Sequence, residues 1–517
     1  MTISTEAMNR LRERRDRITQ NISPEKLAEL HARGSLSARE RVNTLFVAGS
    51  FQELGMHAHH NAVTFGMTGR ELPTDGVITG TGYVGGMQVA AFSQDFQVLA
   101  GTMGKMQARK IVRLMRHALR VGVPMVAFKD SGGARIQEGV DALSGYGDVF
   151  YYNVMLSGVV PQIAVIVGPC AGGAAYSPAL MDFVIMTRRN AYMFLTGPEV
   201  IKAVTGRSAS MDEVGSAEMH ASVSGNVHFV AEDDGHAIAL VKSLLSYLPS
   251  NNTEDPPHDL SMPIDEMADP GMIDLVPADS SEPLDMQLVI RRLVDRGELL
   301  EVHAAFARNV IVGFARISGA VVGVVANQPM VMAGALDMNA ADKIARFVRT
   351  CNVFNIPLIT LVDVPGFLPG VEEERGGIIR HGAKMLHAFA SCTVPKLTVI
   401  LRKAYGGSYL AMCSQEMRAD MVYAWPSAEI AVMGAEAAVK ILYRKELSQA
   451  TDRRAKAAEL TQQYRDEFAS PYAAASNFYI TDVIDPADTR WMLALALRKT
   501  LGKRELRPAK KHGNMPL

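Results

Sequence analysis

The residues best suited to chemistry are two pairs of adjacent glycines, each set where an apolar, β-branched run ends. The first stretch is Val160-Pro161-Gln162-Ile163-Ala164-Val165-Ile166-Val167-Gly168-Pro169-Cys170-Ala171-Gly172-Gly173-Ala174-Ala175-Tyr176. A second copy runs Val394-Pro395-Lys396-Leu397-Thr398-Val399-Ile400-Leu401-Arg402-Lys403-Ala404-Tyr405-Gly406-Gly407-Ser408. Each predicts a buried strand, a tight loop and a helix N-terminus. Glycines there let a ligand approach the backbone, and the first free amides of a helix point at negative charge above them. That arrangement suits an oxyanion hole. The alternative, that Gly-Gly merely permits close helix–strand packing, is weakened by its recurrence at equivalent repeat positions.

A longer repeat positions these loops. Val123-Pro124-Met125-Val126-Ala127-Phe128-Lys129-Asp130 matches Ile356-Pro357-Leu358-Ile359-Thr360-Leu361-Val362-Asp363, and each Asp precedes a glycine-bearing loop. Asp182-Phe183-Val184 matches Asp420-Met421-Val422, and Gly197-Pro198-Glu199-Val200 matches Gly434-Ala435-Glu436-Ala437. The offset is 233 residues at the aspartates, 234 at Gly172/Gly406 and 237 at Gly197/Gly434, so the chain is a duplicated domain with a few insertions. Strands over 76–80 and 87–92 lead into the first repeat, and strands over 310–316 and 321–327 into the second. Helices are expected over 101–119 and 339–350. Strand, helix, strand, loop, helix in series implies parallel strands with crossovers, an α/β fold. The polar, Pro-bearing stretch from Ser250 to His258 opens a linker running to about Pro283, dividing the chain into domains 1–258 and 259–517.

Composition agrees. A chain of 517 residues is expected to hold two domains of roughly 230 residues rather than one core. Lys and Arg total 53 against 54 Asp and Glu, which argues against nucleic acid or a membrane surface as partner. The four cysteines, Cys170, Cys351, Cys392 and Cys413, lie in apolar surroundings without a Cys-x-x-Cys. A reducing compartment is expected, with neither disulfides nor a metal site. The charged, helical segment from Met1 to about Gly55 carries Glu6, Glu13 and Asp16 among its arginines, unlike a mitochondrial transit peptide. It predicts a surface arm or subunit contact. No apolar run approaches the roughly 20 residues of a membrane span.

Five stretches are then specific. Asp130-Ser131-Gly132-Gly133-Ala134-Arg135-Ile136-Gln137-Glu138-Gly139, Gly168-Pro169-Cys170-Ala171-Gly172-Gly173, Asp363-Val364-Pro365-Gly366-Phe367, Gly376-Gly377-Ile378-Ile379-Arg380-His381-Gly382-Ala383-Lys384 and Lys403-Ala404-Tyr405-Gly406-Gly407 stand in this order. Together they closely resemble the carboxyltransferase (β) subunit of biotin-dependent acyl-CoA carboxylases, of the propionyl-CoA and acetyl-CoA type. The resemblance spans about Arg33 to Arg498. It implies two tandem crotonase-type domains (ββα superhelix) in a β hexamer, with acyl-CoA held by the N-terminal domain of one subunit and biotin by the C-terminal domain of its neighbour. The biotin would be carried by a partner biotin carboxylase/carrier α subunit. The chain itself has no Met-Lys-Met-type attachment sequence and no Gly-x-x-x-x-Gly-Lys-Ser/Thr loop. A bacterial cytoplasm is the expected location, with a mitochondrial matrix the alternative. The N-terminal zinc ribbon of some acetyl-CoA carboxylase β subunits is not matched, since no cysteine precedes Cys170.

The resemblance also gives the duplication a chemical reason, because carboxyl transfer must stabilise two oxyanions: the acyl enolate and the ureido oxygen of biotin. By resemblance the donors are Gly172-Gly173 and Gly407-Ser408, and which pair serves which oxyanion stays open. Cofactor and CoA contacts are expected from Ser131, Gly132, Gly133, Ala134, Arg135, Lys105, Phe367, Gly376, Gly377 and Leu410. Phosphates call for basic residues, and Arg109 and Lys110 on the helix opened by Gly101-Thr102-Met103-Gly104-Lys105 join the candidates. Gly334-Ala335-Leu336-Asp337-Met338-Asn339 is a supplementary acyl-CoA candidate. Glu138 and Glu199 lack the partner spacing of an acid–base pair. The resemblance offers decarboxylated biotin as the base instead. Asp130 and Asp363 are expected to bond the amides of their following loops, with a functional role as the alternative. His381 and His387 fall on a helical pattern and read as packing residues. Leu410, after Tyr409, either walls the acyl pocket or is helix core with Met412 and Cys413. The competing functions are a biotin-dependent decarboxylase or transcarboxylase subunit, and a non-catalytic ring scaffold.

Overall fold

The computed structural model describes residues 3–264, 268–277 and 282–517. They form two compact units, Met1–Glu254 and Asp255–Leu517. The first unit contains β1 (Gln52–Glu53), β2 (Val77–Val84), β3 (Met87–Gln94), β4 (Met125–Ser131), β5 (Gln162–Ala171), β6 (Phe183–Thr187), β7 (Tyr192–Phe194) and β8 (Phe229–Ala231). Its sheet order is β1-β2-β3-β4-β5-β6-β8, with β7 pairing the far end of β5. The second contains β9 (Leu300–Val302), β10 (Val310–Ile317), β11 (Ala320–Asn327), β12 (Leu358–Val364), β13 (Lys396–Tyr405), β14 (Met421–Ala424), β15 (Glu429–Ala431) and β16 (Asp482–Val483). The order there is β16-β14-β13-β12-β11-β10-β9, with β15 pairing β13. An antiparallel hairpin opens each repeat, β2/β3 and β10/β11, and parallel pairs follow it.

The central strands β4 and β12 are buried along their whole length, which is why they read as unbroken apolar runs rather than alternating ones. Crossover helices cover them. Lys105–Val121 buries Ala108, Ile111, Leu114, Met115 and Ala118, one helical stripe, and each fully buried large side chain stabilises by about 1.5–3 kcal/mol. It starts later than the sequence reading had it, because Leu99–Gly101 forms a separate 3₁₀ turn and Gly104 is the N-cap. The helix Met338–Val353 is capped by Asp337, whose Oδ1 accepts from the Ala340 amide at 2.9 Å.

Two expectations are corrected. The stretch read as a linker is structured where described: Pro270–Leu275 is a 3₁₀ helix, and Met272 and Leu284 sit in the core of the second unit. The remainder of that stretch, residues 265–267 and 278–281, lies outside the described residues. The N-terminal segment is not wholly a surface arm. Thr5–Thr19 buries nothing, yet Ala38–Leu45, held by a Ser37/Glu40 capping box, buries Val42, Leu45 and the guanidinium of Arg41.

Candidate active site

Both glycine pairs lie where a central strand ends and a short helix begins. After β5 comes the 3₁₀ turn Gly172–Ala175, and after β13 the α-helix Gly406–Ala411. The leading glycine has φ +60° at Gly172 and +57° at Gly406, a left-handed conformation that turns the chain from strand to helix at little cost only for glycine. Neither N-terminus is capped by a side chain. The amides of Gly172 and Gly173, and those of Gly406, Gly407 and Ser408, therefore have no acceptor within their own turn. The second glycine of each pair has no internal requirement for being glycine. A Cβ on Gly173 would make ordinary contact with the Tyr146 ring at 3.7 Å, and one on Gly407 would meet nothing within 4 Å. Close helix–strand packing does not account for them.

Beside each turn runs the loop that follows β4 or β12. In the first unit the Gly132 amide donates to Ala100 O, that of Gly133 to Ser131 Oγ and that of Arg135 to Met103 O. Among the described residues the Ala134 amide has no acceptor. The same pattern recurs 233 residues on: the Leu336 amide donates to Gly366 O and that of Leu368 to Leu336 O, leaving the amide of Phe367. Met103 bridges Ala134 as Leu336 bridges Phe367. Ser131, Gly132 and Gly133 thus build the loop, and Ala134 and Phe367 keep a donor for something else.

The basic residues sort differently from expectation. Arg135 is fully buried, its Nη1 2.6 Å from Asp75 Oδ1 and 2.8 Å from Glu138 Oε1, so it braces the loop and is not free for a phosphate. Glu138 also accepts from the Lys105 amide at 2.7 Å, capping that helix, so its partners lie within the fold. Lys110 is buried and donates to Thr74 O and Val77 O. Its counterpart Lys343 donates to the carbonyls of His303, Phe306 and Val310. Both lysines hold the backbone that precedes the hairpin. Lys105, half exposed and paired with Asp141 at 2.8 Å, and exposed Arg109 remain at the surface.

Asp130 and Asp363 do not serve as turn formers, contrary to expectation. Asp130 Oδ2 pairs with Arg41 at 3.0 Å, and Arg41 also reaches Asp234 at 2.7 Å. Gly168 makes room for that carboxylate, since a Cβ there would lie 2.0 Å from Oδ1. Burial, and the sharing of one guanidinium with Asp234, push the Asp130 carboxyl up to about 6 despite Arg41. Asp363 instead takes Arg402 Nη2 at 2.7 Å and the Lys403 amide at 3.1 Å. Arg41, Asp234 and Arg402 were assigned no role from sequence; the available signal was an arginine inside the apolar run of β13.

Elsewhere in the second unit, Gly376 and Gly377 join the helices Val371–Gly376 and Ile378–Ser391, and Gly382 accommodates the half-buried Phe367 ring. His381 and Lys384 both pair with Asp342 at 2.9 Å. Leu410 is 40% exposed whereas Met412 and Cys413 are fully buried, which rules out helix core for Leu410. Its counterpart in the first unit, Tyr176, is also exposed.

Two repeats, each with a glycine turn and a neighbouring unpaired amide, match a known group. Residues 29–515 fit the carboxyl transferase domain. The chain belongs to the carboxyl transferase family. It is 54% identical over 98% of its length to the methylmalonyl-CoA carboxyltransferase 12S subunit of Propionibacterium freudenreichii subsp. shermanii, covering 97% of that protein. It is 52% identical to the propionyl-CoA carboxylase beta chain of Saccharopolyspora erythraea, over 95% of this chain and 92% of that one. The crystal structure of the transcarboxylase 12S hexamer with methylmalonyl-coenzyme A and methylmalonic acid bound superimposes with a TM-score of 0.97 at 53% identity, covering 100% of this chain and 99% of that one. The carboxyltransferase is thus an enzyme of two tandem crotonase-type domains, related to propionyl-CoA carboxylase beta chains. Among the described residues, no helix is long and apolar enough to cross a membrane, and no group of three or more His, Cys, Asp or Glu could hold a metal ion.

Proposed function

We propose that this carboxyltransferase moves a carboxyl group between a partner-borne carboxybiotin and the α-carbon of a short-chain acyl-CoA, propionyl-CoA or acetyl-CoA. Gly172-Gly173 would hold the oxyanion of one substrate and Gly407-Ser408 that of the other, with the unpaired Ala134 and Phe367 amides as further candidate donors. The observation that carries this reading is the pair Gly173 and Gly407, glycines that neither backbone conformation nor packing demands, each at an uncapped helix N-terminus. A ureido or thioester oxygen fits such donors because it accepts without needing a counter-ion. Carboxybiotin supplies the carboxyl group and, once that has left, a basic ureido nitrogen for the acyl α-proton. The domain roles are acyl-CoA in 1–258 and biotin in 259–517, with a biotinylated α subunit as partner and a β hexamer as the assembly. Lys105 and Arg109 are the surface cations left for CoA phosphates.

Gly173→Val and Gly407→Val test it. Each should assemble and melt like wild type, since a Cβ at either position meets no clash, while the β-branched side chain keeps the ligand off the amides and transfer falls by about 100- to 1000-fold, comparable to the loss of one oxyanion donor. Either variant at near-normal turnover removes that loop from the mechanism. A transcarboxylase acting on methylmalonyl-CoA is favoured as the second reading by the 54% identity to a methylmalonyl-CoA carboxyltransferase subunit. Whether the biotinylated partner is charged from bicarbonate and ATP by a biotin carboxylase, or only by transfer from methylmalonyl-CoA, separates the two.

A further inference from the structure

The residue before the leading glycine is Ala171 in the first unit and Tyr405 in the second. The short strands beside them differ as well: β7 sets Tyr192 against Pro169, where β15 sets Glu429 against Lys403, two residues before Tyr405. A ring lies under the glycine that follows each short strand, but from a different source. A Cβ on Gly197 would stand 3.2 Å from the Phe194 ring, and one on Gly434 would stand 3.3 Å from the Tyr405 ring. The first unit takes its ring from β7, the second from the glycine strand itself. That exchange gives the second turn a hydroxyl. Tyr405 Oη donates to Glu429 Oε2 at 2.5 Å. Arg465, at the start of the π-helical turn Arg465–Ala469, pairs with Glu429 at 3.4 Å and also with Glu436. Burial, and then the bond to Glu429, raise the Tyr405 phenol well above its ordinary range, so it stays a donor. The Tyr405 carbonyl in turn accepts from Ser408 Oγ at 2.6 Å. Tyr405 thus joins the second turn to a partly buried carboxylate. The first turn has a different support: Lys129 Nζ donates to Ser177 Oγ at 2.9 Å on the helix Tyr176–Ala179 that continues it, and the position of Lys129 is taken in the second unit by the buried, apolar Val362.

A carboxylate at this place has two effects of opposite sign. As an acceptor it fixes Tyr405, and with it the left-handed Gly406 and the amides that follow. As an anion beside a turn built to receive an oxyanion it opposes that turn, unless its charge is cancelled. Arg465 cancels it. Glu436, the other partner of Arg465, is largely exposed and is hydrated without it. We infer that Tyr405, Glu429 and Arg465 are positioning residues of the second turn: the phenol bond to Glu429 holds the residue before Gly406, and Arg465 keeps the charge of that carboxylate from weakening the turn for an oxyanion. This rests on the carboxyl-transfer reading and holds whichever oxyanion the turn receives.

The test is carboxyl transfer from methylmalonyl-CoA to biocytin by the intact chain, as kcat and KM, for wild type, Tyr405→Phe, Arg465→Met and the double variant Arg465→Met/Glu429→Gln, with thermal melting as the check on folding. Tyr405→Phe keeps the ring under Gly434 and removes the hydroxyl. Arg465→Met leaves the Glu429 charge uncancelled, and a glutamine at 429 still accepts from the phenol but carries no charge. Tyr405→Phe and Arg465→Met should each lose roughly tenfold in kcat with KM for the CoA ester little changed, and the double variant should recover to within about threefold of wild type. A merely structural ion pair predicts the reverse, because the second substitution removes what is left of it. A double variant no faster than Arg465→Met overturns the inference, as does full kcat in Tyr405→Phe even if Arg465→Met fails to fold. No transfer by wild type would instead sink the carboxyl-transfer reading.

Discussion

Asp130 and Asp363 lie near the ends of equivalent strands, are both buried, and are neutralised from different directions. In the second unit Arg402 supplies the guanidinium from the neighbouring strand. In the first unit that position is Gly168, and the guanidinium comes from Arg41 on a helix more than eighty residues upstream, already shared with Asp234. Duplication has kept the requirement for a buried carboxylate beside the glycine turn and let the source of its counter-charge drift. A buried charge tolerates any partner of opposite sign and good geometry, but it does not tolerate having none. The same freedom shows at Lys129 and Val362, where one turn has a cation behind it and the other an apolar side chain.

Removing the partner arginines should break this equivalence most strongly. Arg402→Ala leaves Asp363 unpaired and should cost the second unit about 3–5 kcal/mol. Both tryptophans, Trp425 and Trp491, lie in that unit, so the loss should appear in fluorescence-detected urea unfolding. Arg41→Ala should leave the fluorescence transition in place and shift only the circular-dichroism transition of the first unit. If both arginine variants moved the two signals together, the units would not be energetically separable.

A smaller effect sharpens the contrast through pH. Because the folded-state Asp130 carboxyl is raised to about 6 from an ordinary value near 4, the folded first unit binds the extra proton between those values. That stability is fully present below about pH 4 and is lost as pH rises through about 6. Asp130→Asn should flatten this dependence of the first unit's urea midpoint between pH 4.5 and 7, by about 1–3 kcal/mol across the range. An unchanged slope would place the titration elsewhere.

The least expected change in stability concerns the exposed pair Tyr176 and Leu410. Leu410→Asp should alter stability by no more than about 0.5 kcal/mol, since the side chain is largely at the surface. Wild type should accept acetyl-, propionyl- and butyryl-CoA with specificity constants within about a hundredfold of one another, because a methylene is worth only about 0.8 kcal/mol when buried. Leu410→Asp should narrow that range. Unchanged ratios in a folded variant would remove Leu410 from the acyl pocket.

The sequence by itself determined the duplication, the hairpin and parallel strands of each repeat, and the two Gly-Gly turns, because these depend on local periodicity and on glycine at a strand end. It also carried the family. What it could not assign were long-range partners: that Arg135 braces Asp75, that Lys110 and Lys343 cap backbone carbonyls, and that Arg41 reaches Asp130. From sequence Arg135 and Lys110 read as candidate phosphate ligands, and nothing singles out Arg41 or Lys343. Whether a guanidinium faces solvent, a ligand or a buried carboxylate depends on which segments the fold brings within about 3 Å of it, and only the tertiary structure decides that.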